Sequence, residues 1–133
     1  MTDTVQPTIL VVEDDRNVRR LIVRTLSQSG FTALEAGSAD AGLAVFQEKP
    51  GAINLVIVDM VMPGMSGLDL AAELERLRPE VKILYISGYG NSIAMESIAR
   101  QWPTFVLLKP FTRWMLVSRV QELLSQELAW RAS

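Results

Sequence analysis

The chain has 133 residues, enough for one domain with a substantial core but too few for a second functional module. Hydrophobic residues make up 49% of it and charged residues 21%, which is the balance of an ordinary globular protein rather than a disordered one. The formal net charge of -2 gives no basic footprint for nucleic acid or an anionic membrane, and the absence of cysteine and histidine excludes disulfides, thiolate catalysis and imidazole metal sites.

Short apolar runs alternate with helical patterns along the chain. The predicted strands are TILVV, FTALEA, INLVIVD, VKILYIS and TFVLLK, which begin at residues 8, 31, 53, 81 and 104. The predicted helices are VRRLIVRTLSQSG, a segment capped by Ser38, LDLAAELERLRP, NSIAMESIARQW, and TRWMLVSRVQELLSQEL capped by Thr112. This alternation predicts an α/β fold, a doubly wound parallel sheet with helices on both faces.

Helical spacing also predicts which side chains of the first three helices face the core. They are Val18, Leu21, Ile22 and Leu26, then Ala41, Val45 and Phe46, then Leu70, Ala71, Leu74 and Leu77. Gly30 is expected to end the first of these helices, and Pro79 the third.

The expected organisation is a flexible lead over residues 1–7, one domain over residues 8–128 and a tail over residues 129–133. The lead lacks the basic and apolar regions of a signal peptide, and no apolar run approaches the roughly 18 residues of a membrane span. We therefore expect a cytoplasmic protein.

Polar residues follow four of the predicted strands at the point where each strand ends. They are Glu13, Asp14 and Asp15, then Asp59, then Ser87 with Gly88, then Lys109 with Pro110. Each of them alone is as readily explained as a helix cap, a turn or a solvated strand end. Because the carboxyl ends of parallel strands meet at one edge of the sheet, their coincidence indicates a single site.

Carboxylates that converge at one edge raise each other's pKa values, so a cation is expected among them. A ligand set made only of oxygen suits Mg²⁺, and Mn²⁺ would also fit. Lys109 and the Ser87 hydroxyl would then contact phosphoryl oxygens. With neither histidine nor cysteine available, the nucleophile would be a carboxylate that forms an aspartyl phosphate.

These residues resemble the motif set of response regulator receiver domains, the chemotaxis-regulator-like receivers of two-component signalling, from about residue 8 to residue 128. The matching positions are Glu13 and Asp14, Asp59 in DMVMPGMSG, Ser87 and Gly88 in YISGYG, and Lys109 and Pro110 in LLKPF. The resemblance implies a (βα)5 flavodoxin-like sheet with the strand order 2-1-3-4-5.

The resemblance further implies a role for each matching residue. It makes Asp14 and Asp59 direct Mg²⁺ ligands, Glu13 a ligand through water, and the backbone carbonyl of Val61 another ligand. It leaves Asp15 as a loop or capping residue. It also implies a turn shaped by Pro63, Gly64 and Gly67, and a cis bond before Pro110.

By the same resemblance, Asp59 accepts a phosphoryl group from the phosphohistidine of a sensor histidine kinase or a histidine phosphotransferase, and Lys109 assists. The Ser87 hydroxyl then moves toward the phosphate, the surface of the fourth and fifth predicted helices and the last strand changes, and water resets the domain. The receiver is thus a signalling phospho-acceptor that catalyses its own phosphorylation and dephosphorylation, and it acts on an unknown output protein.

One position departs from the family pattern. Receivers usually carry an aromatic residue three positions before the lysine, where this chain has Val106, and strand alternation directs Phe105 to the opposite face. The usual aromatic switch is therefore in doubt. Tyr89 would either replace it or only cover the loop.

The candidate interface residues are Trp102, Arg113, Trp114 and Arg119, although the two tryptophans would equally suit packing at helix ends. Two alternatives to a phosphorylated stand-alone receiver stay open. One is a receiver that binds proteins without phosphorylation, and the other is a receiver excised from a hybrid kinase or a longer regulator.

Overall fold

Five parallel strands form one sheet in a computed structural model that describes residues 6–48, 51–88 and 105–125. The strands are β1 (Thr8–Val12), β2 (Thr32–Ala36), β3 (Leu55–Asp59), β4 (Ile83–Ser87) and β5 (Val106–Leu108). They lie in the order β2-β1-β3-β4-β5, and every adjacent pair is parallel. The predicted doubly wound sheet and its strand order are confirmed.

Four helices are described, and they cover both faces of the sheet. They are α1 (Arg16–Gln28), α2 (Ala39–Glu48), α3 (Gly67–Leu77) and α4 (Arg113–Ser125). The helix predicted in NSIAMESIARQW lies outside the described residues, as do the N-terminal residues 1–5 and the C-terminal residues 126–133. None of the helices in the described part of the chain is long and apolar enough to cross a membrane.

The sheet divides the core into two clusters. All five residues of β3 are buried, and they alternate between the two faces. Val56 and Val58 pack with residues of α2 and α3, whereas Leu55 and Ile57 pack with residues of α1 and α4. The strand that leads to the predicted site is therefore fixed from both sides.

Predicted helix caps are confirmed at three helices. The carboxylate of Asp15 accepts the amide hydrogens of Asn17 and Val18 at the start of α1. Ser38 Oγ accepts from the Ala41 amide at 3.1 Å, and Thr112 Oγ1 accepts from the Met115 amide at 3.0 Å. Each cap satisfies an amide that has no partner inside its helix.

Three apolar residues predicted to face the core are exposed instead. Leu21 is 53% exposed, Leu77 is 40% exposed, and Ala41 lies on the surface of α2. A helix packed on a sheet buries a limited arc, and these residues lie beside that arc rather than within it. In α2, Gly42 is buried instead, and a Cβ there would lie 2.7 Å from Val12 Cγ2, so glycine lets the helix approach β1 closely.

Candidate functional site

The register of the sheet brings the predicted site residues to one edge. Val12 pairs with Val58, Asp59 pairs with Ile86, and Ser87 pairs with Leu108. Glu13 and Lys109 each follow their strand by one residue, so the polar ends of four strands lie side by side.

Three carboxylates and one ammonium group meet at this edge. One carboxylate oxygen from each of Glu13, Asp14 and Asp59 lies within 4.8 Å of the others. Glu13 and Asp59 are buried, whereas Asp14 is exposed. Lys109 Nζ lies 3.0 Å from Glu13 Oε1 and 3.4 Å from Asp59 Oδ2. When all four groups are ionised, the cluster keeps an excess of two negative charges.

The loop after β3 fixes the carboxylate of Asp59. Asp59 Oδ1 accepts the amide hydrogen of Val61 at 3.0 Å, while the Val61 residue is 54% exposed. Gly64 has a φ of +78°, which favours glycine. A Cβ on Gly67 would overlap the backbone oxygen of Asp59, so α3 can begin this close to β3 only with glycine there.

The loop after β1 is held by several hydrogen bonds. The Glu13 amide donates to the Ala36 oxygen at 3.1 Å, and Glu13 Oε2 accepts from the Asp15 amide at 3.2 Å. Arg19 Nη1 donates to the Glu13 backbone oxygen at 2.9 Å. The sequence did not point to Arg19, because its partners come from elements whose register is visible only in the fold.

Burial and neighbouring charges shift two pKa values in the cluster. Burial, followed by the hydrogen bond with Asp59, raises the pKa of Glu13 from 4.5 to about 7, and the contacts with Lys109 and the Asp15 amide only partly offset this. Burial alone would lower the pKa of Lys109, but its close contact with Glu13 and the charges of Asp59 and Glu13 raise it. The lysine therefore stays protonated at neutral pH.

The predicted switch residues lie beside the cluster. Ser87 is buried at the end of β4, Gly88 follows it, and the Lys109–Pro110 peptide bond is cis, as expected. Val106 is buried opposite Tyr85 in the β4–β5 register. Phe105 packs instead against the cluster that includes α1 and α4, as strand alternation predicts.

Among the candidate interface residues that the structure describes, Arg113 and Trp114 are exposed and Arg119 is partly buried. Trp114 is 76% exposed at the start of α4. Arg113 Nη2 donates to Gln28 Oε1 of α1, and Arg119 Nη1 donates to the Val106 backbone oxygen at 2.9 Å. Both arginines therefore already serve packing between elements. Trp102 and Tyr89 lie outside the described residues.

The cluster has the chemistry of a site for a hard divalent cation. Its donors are all carboxylate oxygens, and the excess of two negative charges matches one such ion. Glu13 Oε1 is buried and takes no hydrogen bond of good geometry in the described part of the chain, although it forms an ion pair with Lys109. A cation or its water would satisfy that oxygen, so the residues present fit Mg²⁺.

A parallel sheet in the order β2-β1-β3-β4-β5, with an acidic cluster and a lysine at its carboxyl edge, matches the arrangement expected of a response regulator receiver. The family model "Response regulator receiver domain" matches residues 9–121, and the chain belongs to that family, whose members serve two-component systems. The response regulator receiver protein CpdR of Brucella abortus is 30% identical over 87% of this chain and 95% of its own length. The sensor kinase CckA of the same species is 34% identical over 90% of this chain, which spans only 13% of that kinase.

Solved structures agree with the family assignment. A response regulator receiver domain protein from Clostridium thermocellum has a TM-score of 0.81 and 26% identity, covering 93% of this chain and 98% of that one. The receiver domain of the hybrid histidine kinase CckA has a TM-score of 0.71 and 29% identity, covering 88% of this chain and 98% of that one.

Proposed function

We propose that this chain is a phospho-accepting receiver in which Asp59 takes a phosphoryl group from the phosphohistidine of a sensor histidine kinase or a histidine phosphotransferase. One observation supports this above the others. Asp59 is buried at the carboxyl edge of the central strand, with one oxygen fixed by the Val61 amide and the other facing Lys109. Such a carboxylate is held in position for attack.

Each residue of the cluster has a part in the proposed transfer. Asp59 Oδ2 forms the new O–P bond as the N–P bond to the donor imidazole breaks, and the imidazole nitrogen takes a proton from solvent. Lys109, which its raised pKa keeps protonated, neutralises charge on the phosphoryl oxygens. Bound Mg²⁺ would supply further charge neutralisation, held by Asp14 and Asp59 directly, by Glu13 through water and by the Val61 carbonyl.

Phosphorylation would bias a two-state surface. It adds up to about two negative charges and strong acceptor oxygens beside Ser87, whose hydroxyl would donate to them. Ser87 pairs with Leu108 in the β4–β5 register, and Lys109 follows Leu108 in the chain. A shift of Ser87 would therefore be passed directly to the last strand. The surface of that strand and the helices beside it would then engage an unknown output protein until water hydrolyses the aspartyl phosphate.

A second function is favoured by Val106 and Trp114. A buried valine in place of the usual aromatic and a tryptophan that is 76% exposed suit a receiver that binds its partner without phosphorylation.

The match to part of the sensor kinase CckA supports a separate alternative, a receiver that belongs to a longer protein. We further propose that the receiver spans residues 8–128, between a lead (1–7) and a tail (129–133), and that it acts in the cytoplasm without direct binding to nucleic acid or a membrane.

The test uses a small donor, so no partner is needed. Wild type, Asp59→Asn and the control Asp40→Asn, which removes an exposed acid of α2, are incubated with Mg²⁺ and phosphoramidate and measured by intact mass. One added phosphoryl group is expected on wild type and Asp40→Asn only. No addition to wild type, or equal addition to Asp59→Asn, would refute Asp59 as the acceptor.

Partner binding separates the two functions. A cross-linking or pull-down comparison with and without beryllofluoride would show binding that depends on the acyl-phosphate mimic if the switch operates. Equal binding in both conditions would support the phosphorylation-independent receiver.

A further inference from the structure

Arg19 of α1 fixes the loop that carries Glu13 and Asp14, and we propose that it is a positioning residue for the Mg²⁺ site. The inference rests on the proposed function, since it concerns the same site. Within the described residues Arg19 forms no hydrogen bond or ion pair with the carboxylates of Glu13, Asp14 or Asp59, so its effect would pass through the backbone.

The Arg19 guanidinium joins three elements of the fold. Nη1 donates to the Glu13 backbone oxygen at 2.9 Å, and Nε donates to Glu35 Oε1 of β2 at 2.9 Å. The Arg19 side chain is only 17% exposed. A Cβ on Gly37 would lie 3.1 Å from Nη1, so the glycine leaves the space that the guanidinium occupies.

The Glu13 backbone needs such a partner because it lies just beyond the end of β1. Its amide still extends the ladder to the Ala36 oxygen at 3.1 Å. Its carbonyl lies past the last strand pair, and a carbonyl on a buried residue requires a donor. A guanidinium nitrogen forms a charge-assisted bond there, which is stronger than a neutral one.

Asp14 depends on this arrangement more than Glu13 does. Its side chain is exposed and takes no hydrogen bond within the described ranges, so its position follows from the residues on either side. Asp15 is fixed as the cap of α1, and its oxygen accepts the Arg19 amide at 2.8 Å. Arg19 thus holds both neighbours of the predicted direct ligand, through its side chain on one side and its backbone on the other.

Position and charge have opposite effects on cation affinity, which makes the inference testable. A positive guanidinium near a cation site weakens binding by repulsion, so its loss by itself would tighten Mg²⁺ binding. Loss of a positioning contact would weaken it, as outer contacts of metal ligands typically do. Arg19→Lys keeps the charge but cannot form the two-armed contact. Arg19→Gln loses both the charge and that contact.

The experiment measures dissociation constants of Mg²⁺ by calorimetry, and of Mn²⁺ by electron paramagnetic resonance, at fixed ionic strength. The variants are Arg19→Lys, Arg19→Gln and Glu35→Gln, and each is also unfolded thermally without metal. Arg76→Lys and Arg76→Gln are matched controls, because Arg76 pairs with Glu73 at 2.8 Å on the exposed face of α3.

We expect Arg19→Lys to bind either ion about tenfold more weakly, at the low end of outer-contact effects. Arg19→Gln should also bind more weakly than wild type but by less, because the loss of its positive charge partly offsets the loss of the contact. Glu35→Gln removes the ion pair with Arg19 and also one negative charge, so it should bind either ion more weakly than wild type but less weakly than Arg19→Lys, and it gives a second measurement if an Arg19 variant fails to fold. The Arg76 controls should bind like wild type. Beryllofluoride uptake by Arg19→Lys should recover at saturating Mg²⁺, because the acceptor itself is intact.

Four results would overturn the inference. Unchanged affinity in Arg19→Lys with tighter binding in Arg19→Gln would show that Arg19 acts only as a charge. A lower melting temperature with unchanged affinity in all three variants would show a structural contact only. If wild type binds neither ion, the proposed Mg²⁺ site itself fails, whereas normal binding by wild type and all variants sinks the role of Arg19 alone.

Discussion

The buried carboxylate of Glu13 should make the metal-free protein less stable as pH rises through neutrality. Its pKa is raised from 4.5 to about 7 by burial and by the hydrogen bond with Asp59, so the folded state retains a proton that the unfolded chain has lost. The stabilisation is therefore fully present below about pH 4.5 and is lost progressively until the pH exceeds about 7. Glu13→Gln carries no ionisable group and should escape this loss.

The magnitude follows from the size of the shift. About 2.5 pKa units correspond to roughly 3.4 kcal/mol between the protonated and ionised limits. Integrated between about pH 5 and pH 8, the advantage of Glu13→Gln over wild type should grow by about 2.5 kcal/mol. The side chain is fully buried, so solvent screening reduces this little.

The assay is urea unfolding of both proteins at several pH values in a chelator, with the difference in free energy of unfolding plotted against pH. A second series with saturating Mg²⁺ should show a smaller rise, because a bound cation stabilises the ionised carboxylate. A difference that stays constant from about pH 5 to pH 8 without metal would refute the reasoning, because Glu13 would then not titrate in that range.

Three further changes have defined outcomes. Gly67→Ala should lower the free energy of unfolding by about 1–3 kcal/mol in urea, since its Cβ would overlap the acceptor's backbone oxygen, whereas Gly51→Ala, whose Cβ meets nothing within 4 Å, should not. Lys109→Gln should slow phosphorylation by phosphoramidate roughly 10²-fold, which is the usual effect of losing one charge-stabilising donor. The control Lys82→Gln removes hydrogen bonds to the end of α4 and should lower stability without changing the phosphorylation rate. Burial and the charge of Glu75 raise the pKa of Tyr85 to about 12, so spectrophotometric titration should show one tyrosine that ionises only near that pH. Tyr85→Phe should abolish that step, and a single titration step at the ordinary tyrosine pKa would contradict the prediction.

The sheet and the acidic cluster at its carboxyl edge were predictable because local signals agreed. LVIVD is apolar throughout and ends in an acid, and a strand buried on both faces has that pattern. Asp15, Ser38 and Thr112 are residue types that cap helices, and each does so. Parallel strands then bring their carboxyl ends together whatever the details of packing.

Contacts that depend on three-dimensional register were not predictable. Arg19 and Glu35 are far apart in the chain, and nothing in either residue indicates that a guanidinium would serve the Glu13 carbonyl. Leu21 shows the same limit in another form. Helical spacing placed it on the apolar side of α1, but the sequence does not tell how wide an arc of the helix the sheet covers, and Leu21 lies outside that arc. The roles of the site residues themselves stay predictions until the phosphorylation experiments are done.

The crowding of acids at the carboxyl edge has a consequence for how variants of this protein would evolve. Neutral residues at positions 13 and 14 would relieve repulsion and burial cost, so a library selected only for thermal stability should drift toward them. Such a library would yield more stable proteins that lacked the proposed Mg²⁺ site. The acids at this edge would therefore persist only under selection for cation binding. A stabilised variant of this chain would keep the proposed site only if residues 13 and 14 were held fixed.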